Sequence, residues 1–247
     1  MKRLFYIAGH GAGDPGAVGN GCTEADLVRQ LGVELKRVGG DNVILGDTAR
    51  NYYADNGISS LPYKADEIEI LEGHMDAGVT TARGGHVIIQ EGLTPDNADN
   101  ALASLMGSIF PGRAALIVPR NDLANPYRAS QKGYSYRLVE FGFITNAADV
   151  AVFRASLTQI ATGVLQAFGL ISAADVVKGG VDNMLFYVQR KGTATQYLTD
   201  GYNGLKGVPN LEAKASMTAL IDSACGYKPK TIVMEPTDFD NFKKIIG

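Results

Sequence analysis

Hydrophobic positions in the first 170 residues follow two alternating patterns. Short apolar runs that stop at glycine or polar residues predict buried strands at 3–8, 43–45, 67–71, 86–90 and 136–141. Between them, apolar residues recur three and four positions apart, which predicts helices at 24–38, 96–109 and 152–168. Strands that alternate with helices favour the α/β class, with a mostly parallel, twisted sheet flanked by helices.

The pattern changes after residue 172. Residues 173–183 are small and polar, as in a linker, and we assign residues 1–172 to one domain and 184–247 to a second. In the second, apolar runs predict a hairpin, a helix, a strand and a last helix, at 185–189 with 195–198, 210–224, 231–234 and 238–246. These elements predict a small C-terminal α+β module.

The composition narrows the possible partners. Hydrophobic residues make up 45% of the chain, charged residues make up 20%, and the net charge is −3, so a basic nucleic-acid-binding surface is not expected. The apolar runs are too short for a membrane span or a signal peptide, so we expect no membrane insertion and synthesis in the cytoplasm. Cys22 and Cys225 fall in different predicted domains, which argues against a disulfide.

Three histidines occur in the chain, and two of them follow predicted strands. His10 and His74 stand at carboxyl ends of strands, and Glu24 stands in the first turn of the first helix. In a parallel sheet these places meet at one edge. Two imidazoles and one carboxylate can form a catalytic zinc site with an open fourth position. Taken singly, each residue also has a structural interpretation, such as a hydrogen-bonded histidine or a carboxylate that complements the helix dipole.

Glu140 is the candidate general base. It lies in an apolar strand, where a buried carboxylate is costly without a partner and has a raised pKa. An outward-facing Glu140 remains the alternative. His86 stands within a predicted strand, and we interpret it as a structural or rim residue. The candidate rim contacts to a substrate are Asn121, Arg128 and Asn146.

Two motifs resemble those of the amidase-3 type of N-acetylmuramoyl-L-alanine amidases. The opening motif covers residues 9–27, and the closing motif covers residues 140–146, with Asp149 shortly after. The resemblance implies that His10, Glu24 and His74 bind Zn²⁺ and that Glu140 is catalytic. The middle motif, usually Ser-x-His-x-Asn-Ala in this family, stands here as Glu-Gly-His-Met-Asp-Ala at 72–77. The residues that support the zinc ligand therefore differ from the usual ones.

The resemblance implies zinc-dependent cleavage of the amide between N-acetylmuramic acid and L-alanine in peptidoglycan. With no export signal, a bacteriophage endolysin released through holin pores fits best. The module at 184–247 is then expected to bind a host cell-wall polymer, and self-association through it stays open. Lys178-Gly179-Gly180 precedes Met184, which suggests an internal translation start, although a chance methionine after a linker is the simpler interpretation.

Two other functional classes remain as alternatives. Residues 11–16 match the G-x-G-x-x-G pattern of dinucleotide-binding domains, although Pro15 interrupts the turn and the helix signal begins only at Thr23. A cell-wall-binding protein with an inactive amidase fold is the other alternative. The presence of all four polar site residues argues against it.

Overall fold

A computed structural model describes residues 2–11, 13–172, 186–199, 206–208, 214–216, 218, 231–237 and 240. The chain divides into two compact units, Met1–Ala173 and Ala174–Gly247, which we describe separately. The predicted linker at 173–183, Met184 and Cys225 lie outside the described residues. The predicted domain boundaries therefore stay predictions.

The first unit contains one six-stranded sheet and five α-helices among its described residues. Its strands are β1 (Arg3–Ala8), β2 (Val18–Gly19), β3 (Cys22–Thr23), β4 (Val43–Leu45), β5 (Ile68–Asp76), β6 (His86–Gln90), β7 (Ile117–Arg120) and β8 (Tyr136–Phe143). Its helices are α1 (Glu24–Gly39), α2 (Asn97–Ile109), α3 (Ala124–Gln131), α4 (Ala147–Ala155) and α5 (Leu157–Ala167), with 3₁₀ turns at Gly40–Asn42 and Gly57–Ser60.

The sheet has the strand order β4-β1-β5-β8-β6-β7, and β2 and β3 form a separate two-residue ladder. Strands β4, β1, β5 and β8 are parallel to one another. Strand β6 is antiparallel to β8, and β7 is parallel to β6. The expected mostly parallel sheet flanked by helices is confirmed, with the two strands at one edge reversed.

Helices cover both faces of the sheet. Successive side chains of a strand point to opposite faces, so the strands contribute apolar residues to a core layer on each side. One face packs on α1, α2, α4 and α5 through residues such as Leu4, Leu71 and Val139. The other face packs on α3 and the second 3₁₀ turn through residues such as Phe5 and Ile70. Farther along β5, this second face carries Glu72, His74 and Asp76. The polar site therefore lies on the same face of the sheet as the second core layer, next to it along the strand.

Several elements differ from the prediction for identifiable reasons. Strand β5 runs to Asp76 rather than ending at residue 71, because the polar side chains beyond 71 have partners inside the fold. The predicted helix at 152–168 is two helices broken at Ser156, which has ψ of 17°. Strand β7 and helix α3 were not predicted. Each contains a proline, but Pro119 lies in an edge strand and Pro126 in the first turn of α3, where proline is tolerated.

The described part of the second unit contains a four-stranded sheet in the order β11-β10-β9-β12. Its strands are β9 (Phe186–Arg190), β10 (Gln196–Thr199), β11 (Lys206–Val208) and β12 (Thr231–Met234). The predicted hairpin is present as the antiparallel pair β9–β10, whereas β11 was not predicted. Most of the two predicted helices, 210–224 and 238–246, lies outside the described residues.

Among the helices that the structure describes, none has both the length and the apolar character needed to cross a bilayer.

Candidate metal centre

Three side chains from separate elements meet in one crevice of the first unit. His10 follows β1, Glu24 is the first residue of α1, and His74 lies two residues before the end of β5. Glu24 Oε1 lies 3.1 Å from His10 Nε2 and 2.8 Å from His74 Nδ1. One ligand atom from each residue falls within 4.8 Å of the other two. The arrangement offers two imidazole nitrogens and one carboxylate oxygen to a single ion.

Two glycines make this convergence possible. A Cβ on Gly9 would lie 2.4 Å from His74 Cε1, and a Cβ on Gly16 would lie 2.6 Å from His10 Cδ2. Gly16 also has φ of 65°, and His10 itself has φ of 64°, a strained value for a non-glycine residue. The glycine-rich pattern indicated a loop, but spacing alone could not identify these two positions as supports of the site.

Glu24 is held as an ionised carboxylate. It is buried, and its oxygens accept hydrogen bonds of 3.0 Å from the backbone N–H groups of Ala17 and Met75. Burial acts to raise the pKa of Glu24, but hydrogen bonds from His10 and His74 outweigh it and hold the pKa well below its usual range. An ionised carboxylate in fixed position suits metal ligation.

Each of the two imidazoles is also held from its far side by a carboxylate. Asp14 Oδ2 lies 3.0 Å from His10 Nδ1, and Glu72 Oε1 lies 3.2 Å from His74 Nε2. An ionised carboxylate only accepts hydrogen bonds, so in the metal-free chain each imidazole donates to a carboxylate on either side. These hydrogen bonds raise the pKa of His10 and, although burial opposes it, the pKa of His74. An ion held with Glu24 would replace the proton on the inner nitrogen, while the outer carboxylate keeps the proton on the other nitrogen. The nitrogen that faces Glu24 is therefore Nε2 in His10 and Nδ1 in His74.

Glu140 lies beside this cluster without joining it. In the sheet it is paired with His74 of β5 and His86 of β6, so the three side chains share a face. Glu140 Oε2 is buried and has no hydrogen-bond partner among the described residues. Burial, with repulsion from Asp76 and Glu24, raises the pKa of Glu140 to about 7, although His74 and Arg113 oppose the shift. This carboxyl group can therefore exchange a proton near neutral pH.

Comparison with known proteins identifies the family. The family model described as N-acetylmuramoyl-L-alanine amidase, amidase-3, matches residues 5–169. The chain belongs to the amidase-3 family.

A curated relative of this amidase-3 chain is the probable autolysin PH of Staphylococcus aureus, strain NCTC 8325 / PS 47. The two are 32% identical over 167 residues, which is 60% of this chain and 34% of the relative. The chain therefore spans about a third of the length of that relative.

Solved structures share the fold of the amidase-3 chain. The N-acetylmuramoyl-L-alanine amidase of Clostridium difficile 630 superposes with a TM-score of 0.56 at 20% identity, over 68% of this chain and 95% of the other. The catalytic domain of the CD27L endolysin, which targets Clostridia difficile, superposes with a TM-score of 0.52 at 17% identity, over 68% and 96%. At such identities the likeness concerns the fold of the first unit.

The third histidine of the amidase-3 chain stays apart from the metal cluster. His86 is buried, and its Nδ1 has no partner in the part of the chain that the structure describes. Burial and the nearby Arg113 lower the pKa of His86 to about 4, so the ring is neutral at pH 7. Its place inside the sheet beside Glu140 excludes the rim alternative for this residue.

The candidate rim residues have different surroundings. Asn146 caps helix α4, because its Oδ1 accepts from the backbone N–H groups of the first turn, and its Nδ2 donates to the Thr80 carbonyl. Arg128 donates to the carbonyl of Tyr53 at 2.7 Å. Asn121 is exposed. The structure therefore gives Asn146 a structural task, whereas Arg128 is partly buried and Asn121 lies at the surface.

A cavity of about 430 Å³ opens beside the cluster. Its lining includes His10 and His74 of the cluster, together with Tyr53 and the first turn of α3. The volume is in the usual range for small-molecule sites. The glycine-rich segment 11–16 precedes α1 by several residues, and Glu24 occupies the first turn of that helix. The glycine loop does not present helix N-terminal amides to a pyrophosphate, which disfavours the dinucleotide alternative.

Proposed function

We propose that this chain is a zinc-dependent N-acetylmuramoyl-L-alanine amidase, which hydrolyses the amide between the lactyl group of N-acetylmuramic acid and L-alanine in peptidoglycan. The observation that carries the proposal is the convergence of His10, Glu24 and His74 beside the unpartnered carboxyl group of Glu140. Membership of the amidase-3 family supports the same activity.

The residues present fit Zn²⁺. Imidazole nitrogen and carboxylate oxygen are common zinc ligands, and three protein ligands leave one position open, as in catalytic sites. The outer carboxylates Asp14 and Glu72 orient the two imidazoles, which is the usual arrangement around zinc-bound histidines. When bound, the ion supplies a Lewis acid that polarises the amide carbonyl and lowers the pKa of water.

Glu140 moves the proton in the proposed reaction. Its Oε2 accepts a proton from the water whose oxygen forms a bond to the lactyl carbonyl carbon. The same carboxyl group then donates that proton to the alanine nitrogen as the carbon–nitrogen bond breaks, which yields a lactyl carboxylic acid and a free amine. A pKa near 7 suits both steps, because a group that titrates near the working pH can accept and release a proton readily.

Digestion of purified peptidoglycan by the full chain tests the activity. Mass spectrometry of the products is expected to show stem peptides with a free N-terminal L-alanine and glycan strands with a free lactyl carboxylate. A chelator-treated sample and Glu140→Gln serve as controls. New reducing sugar ends would instead indicate a glycosidase and would reject the proposal.

We further propose that the C-terminal module binds a host cell-wall polymer. The second compact unit lies beyond residues 5–169 that match the amidase family, so it is free to recognise another ligand. The full chain is expected to sediment with purified walls, and a chain ending at residue 172 is expected to stay in solution. Equal sedimentation of both would reject the assignment, and size-exclusion chromatography of both tests self-association through the module.

We propose release through holin pores during phage lysis as the setting of this activity. The structural likeness to the catalytic domain of an endolysin supports it, although the curated relative is described as an autolysin. Phage structural genes beside the coding sequence would support the phage origin, and chromosomal housekeeping genes would reject it.

A band for the fragment that starts at Met184 on a gel of the expressed gene would establish the internal translation start.

A further inference from the structure

Position 72 is the place where this chain departs from the usual middle motif next to a metal ligand. The family commonly has serine there, and this chain has a glutamate that is buried on the face of the sheet that carries His74. Four contacts hold it. Glu72 Oε1 lies 3.2 Å from His74 Nε2, Asn125 Nδ2 donates to the two oxygens at 3.2 and 2.9 Å, and the Tyr136 hydroxyl donates to Oε2 at 2.5 Å.

A carboxylate that is removed from water is costly unless hydrogen bonds replace its solvation. Here Asn125 and Tyr136 supply donors and leave Oε1 directed at the imidazole. Asn125 is held in turn, because its own Oδ1 accepts from Arg128 at 3.1 Å. The carboxylate is therefore fixed from two sides, and the remaining direction leads to His74.

The contact decides which nitrogen of His74 faces the crevice. Because Glu72 only accepts, Nε2 carries the proton, and Nδ1, which lies 2.8 Å from Glu24 Oε1, is the nitrogen that would bind an ion at the position shared with Glu24 and His10. A hydrogen bond to a charged acceptor is stronger than one to a neutral hydroxyl, so glutamate holds this orientation more firmly than the usual serine can.

Resting on the zinc site proposed above, we propose that Glu72 is a positioning residue for His74, and that Asn125 and Tyr136 act on metal binding through Glu72. The three residues form an outer support that strengthens zinc binding in this chain. None of the three is proposed to contact the metal or the reacting atoms.

The zinc dissociation constant of the full chain, measured by competition with a chromogenic chelator, tests this role. Glu72→Gln and Glu72→Ser are expected to weaken zinc binding by about 10- to 100-fold, the usual effect of removing such a support. The matched control is Glu69→Gln, which makes the same change on the same strand but on the opposite face. The control is expected to bind zinc as the wild type does. Circular dichroism of each metal-free variant establishes that it is folded.

Coupling between Glu72 and Tyr136 separates positioning from general packing. Tyr136→Phe removes one donor to Glu72, so it is expected to weaken zinc binding several-fold, and to add nothing in the Glu72→Gln background. Independent, additive losses would show that Tyr136 does not act through Glu72 and would overturn the inference. Where Glu72→Gln fails to fold, Tyr136→Phe alone decides, since an unchanged zinc affinity would also overturn it.

The outcomes distinguish this inference from the proposed function. A wild-type chain that binds no zinc would reject the zinc site itself. A wild-type chain that binds zinc, together with a Glu72→Gln variant of equal affinity, would reject only the role of Glu72.

Discussion

Two carboxylates in the same crevice, Glu24 and Glu140, lie in opposite environments. Glu24 accepts two backbone hydrogen bonds and faces two imidazoles, and its pKa lies well below the usual range despite burial. Glu140 is surrounded by the sheet, one of its oxygens has no partner among the described residues, and its pKa is raised to about 7. The comparison teaches that partners, rather than residue type, separate the proposed metal ligand from the proposed proton carrier.

The largest expected effect comes from Glu140→Gln. A general base and acid contributes about 10²- to 10⁴-fold to a rate, so turnover is expected to fall by that factor, equivalent to about 3–5 kcal/mol of barrier. Zinc content is expected to stay at the wild-type level, because Glu140 lies outside the ligand cluster. Initial rates of alanine N-terminus release and atomic emission measure the two quantities. Wild-type turnover in this variant would remove Glu140 from the mechanism.

The proposed ligand cluster around Glu24 is tested by measuring the zinc content of the protein. His10→Ala removes one of the three proposed ligands, so we expect zinc to be lost during dialysis, with an affinity decrease beyond the roughly 100-fold upper range of an outer support. The matched control is His86→Ala, because His86 is another histidine of the same unit and lies outside the cluster. Atomic emission after dialysis compares the two. Equal zinc in both variants would place the metal elsewhere.

In the metal-free protein, the two carboxylates are expected to change the free energy of unfolding in opposite directions as the pH rises. The folded-state pKa of Glu140 is raised from 4.5 to about 7, so its contribution to stability is present below pH 4.5 and is lost as the pH rises through 7. The loss is at most about 3 kcal/mol, at 1.36 kcal/mol for each pKa unit. Glu140→Gln has no such loss and is expected to be more stable than the wild type at pH 8, with the difference vanishing near pH 4.

Glu24→Gln is expected to behave in the reverse way. The folded-state pKa of Glu24 is lowered, so its contribution is present above the unfolded value and is lost as the pH falls through the folded value. This variant is expected to be less stable than the wild type at pH 8 and to remain less stable at pH 4, because pH 4 is still above the folded-state pKa. Urea unfolding with a chelator present, at pH 4 and pH 8, measures both variants. Curves that shift in the same direction for both would contradict the opposite environments of the two carboxylates.

The sequence predicts the two carboxylates unequally well. Glu24 follows a capping threonine, and the Thr23 hydroxyl does accept from the Asp26 N–H at 3.2 Å, so its place at a helix start could be predicted. For Glu140, period-two alternation left an outward-facing side chain open, and only the sheet register with His74 places it beside the cluster. Long-range register depends on which strands pair, and local patterns do not contain that information.

Most of the fold followed from the same local patterns, and the exceptions have different physical causes. Strand β5 was expected to end before its polar residues, but Glu72 has partners on β8 and α3, which are more than 50 residues away in sequence. The interruption at Ser156 left the apolar stripe unchanged, so two helices resembled one. Elements whose polar residues are satisfied by distant partners are therefore among those that pattern analysis misplaces.

The smallest effect is expected for Asp14, the carboxylate that supports His10, in comparison with Glu72, the carboxylate that supports His74. Asp14 holds His10 as Glu72 holds His74, but the Asp14 side chain is 44% exposed and the Glu72 side chain is 6% exposed. Water can replace the contact that Asp14→Asn removes, so zinc binding is expected to weaken by less than about 10-fold, and by even less in high salt, which screens exposed charges. Chelator competition at two salt concentrations measures this. A loss as large as that of Glu72→Gln would show that burial of the supporting carboxylate does not set the strength of metal binding.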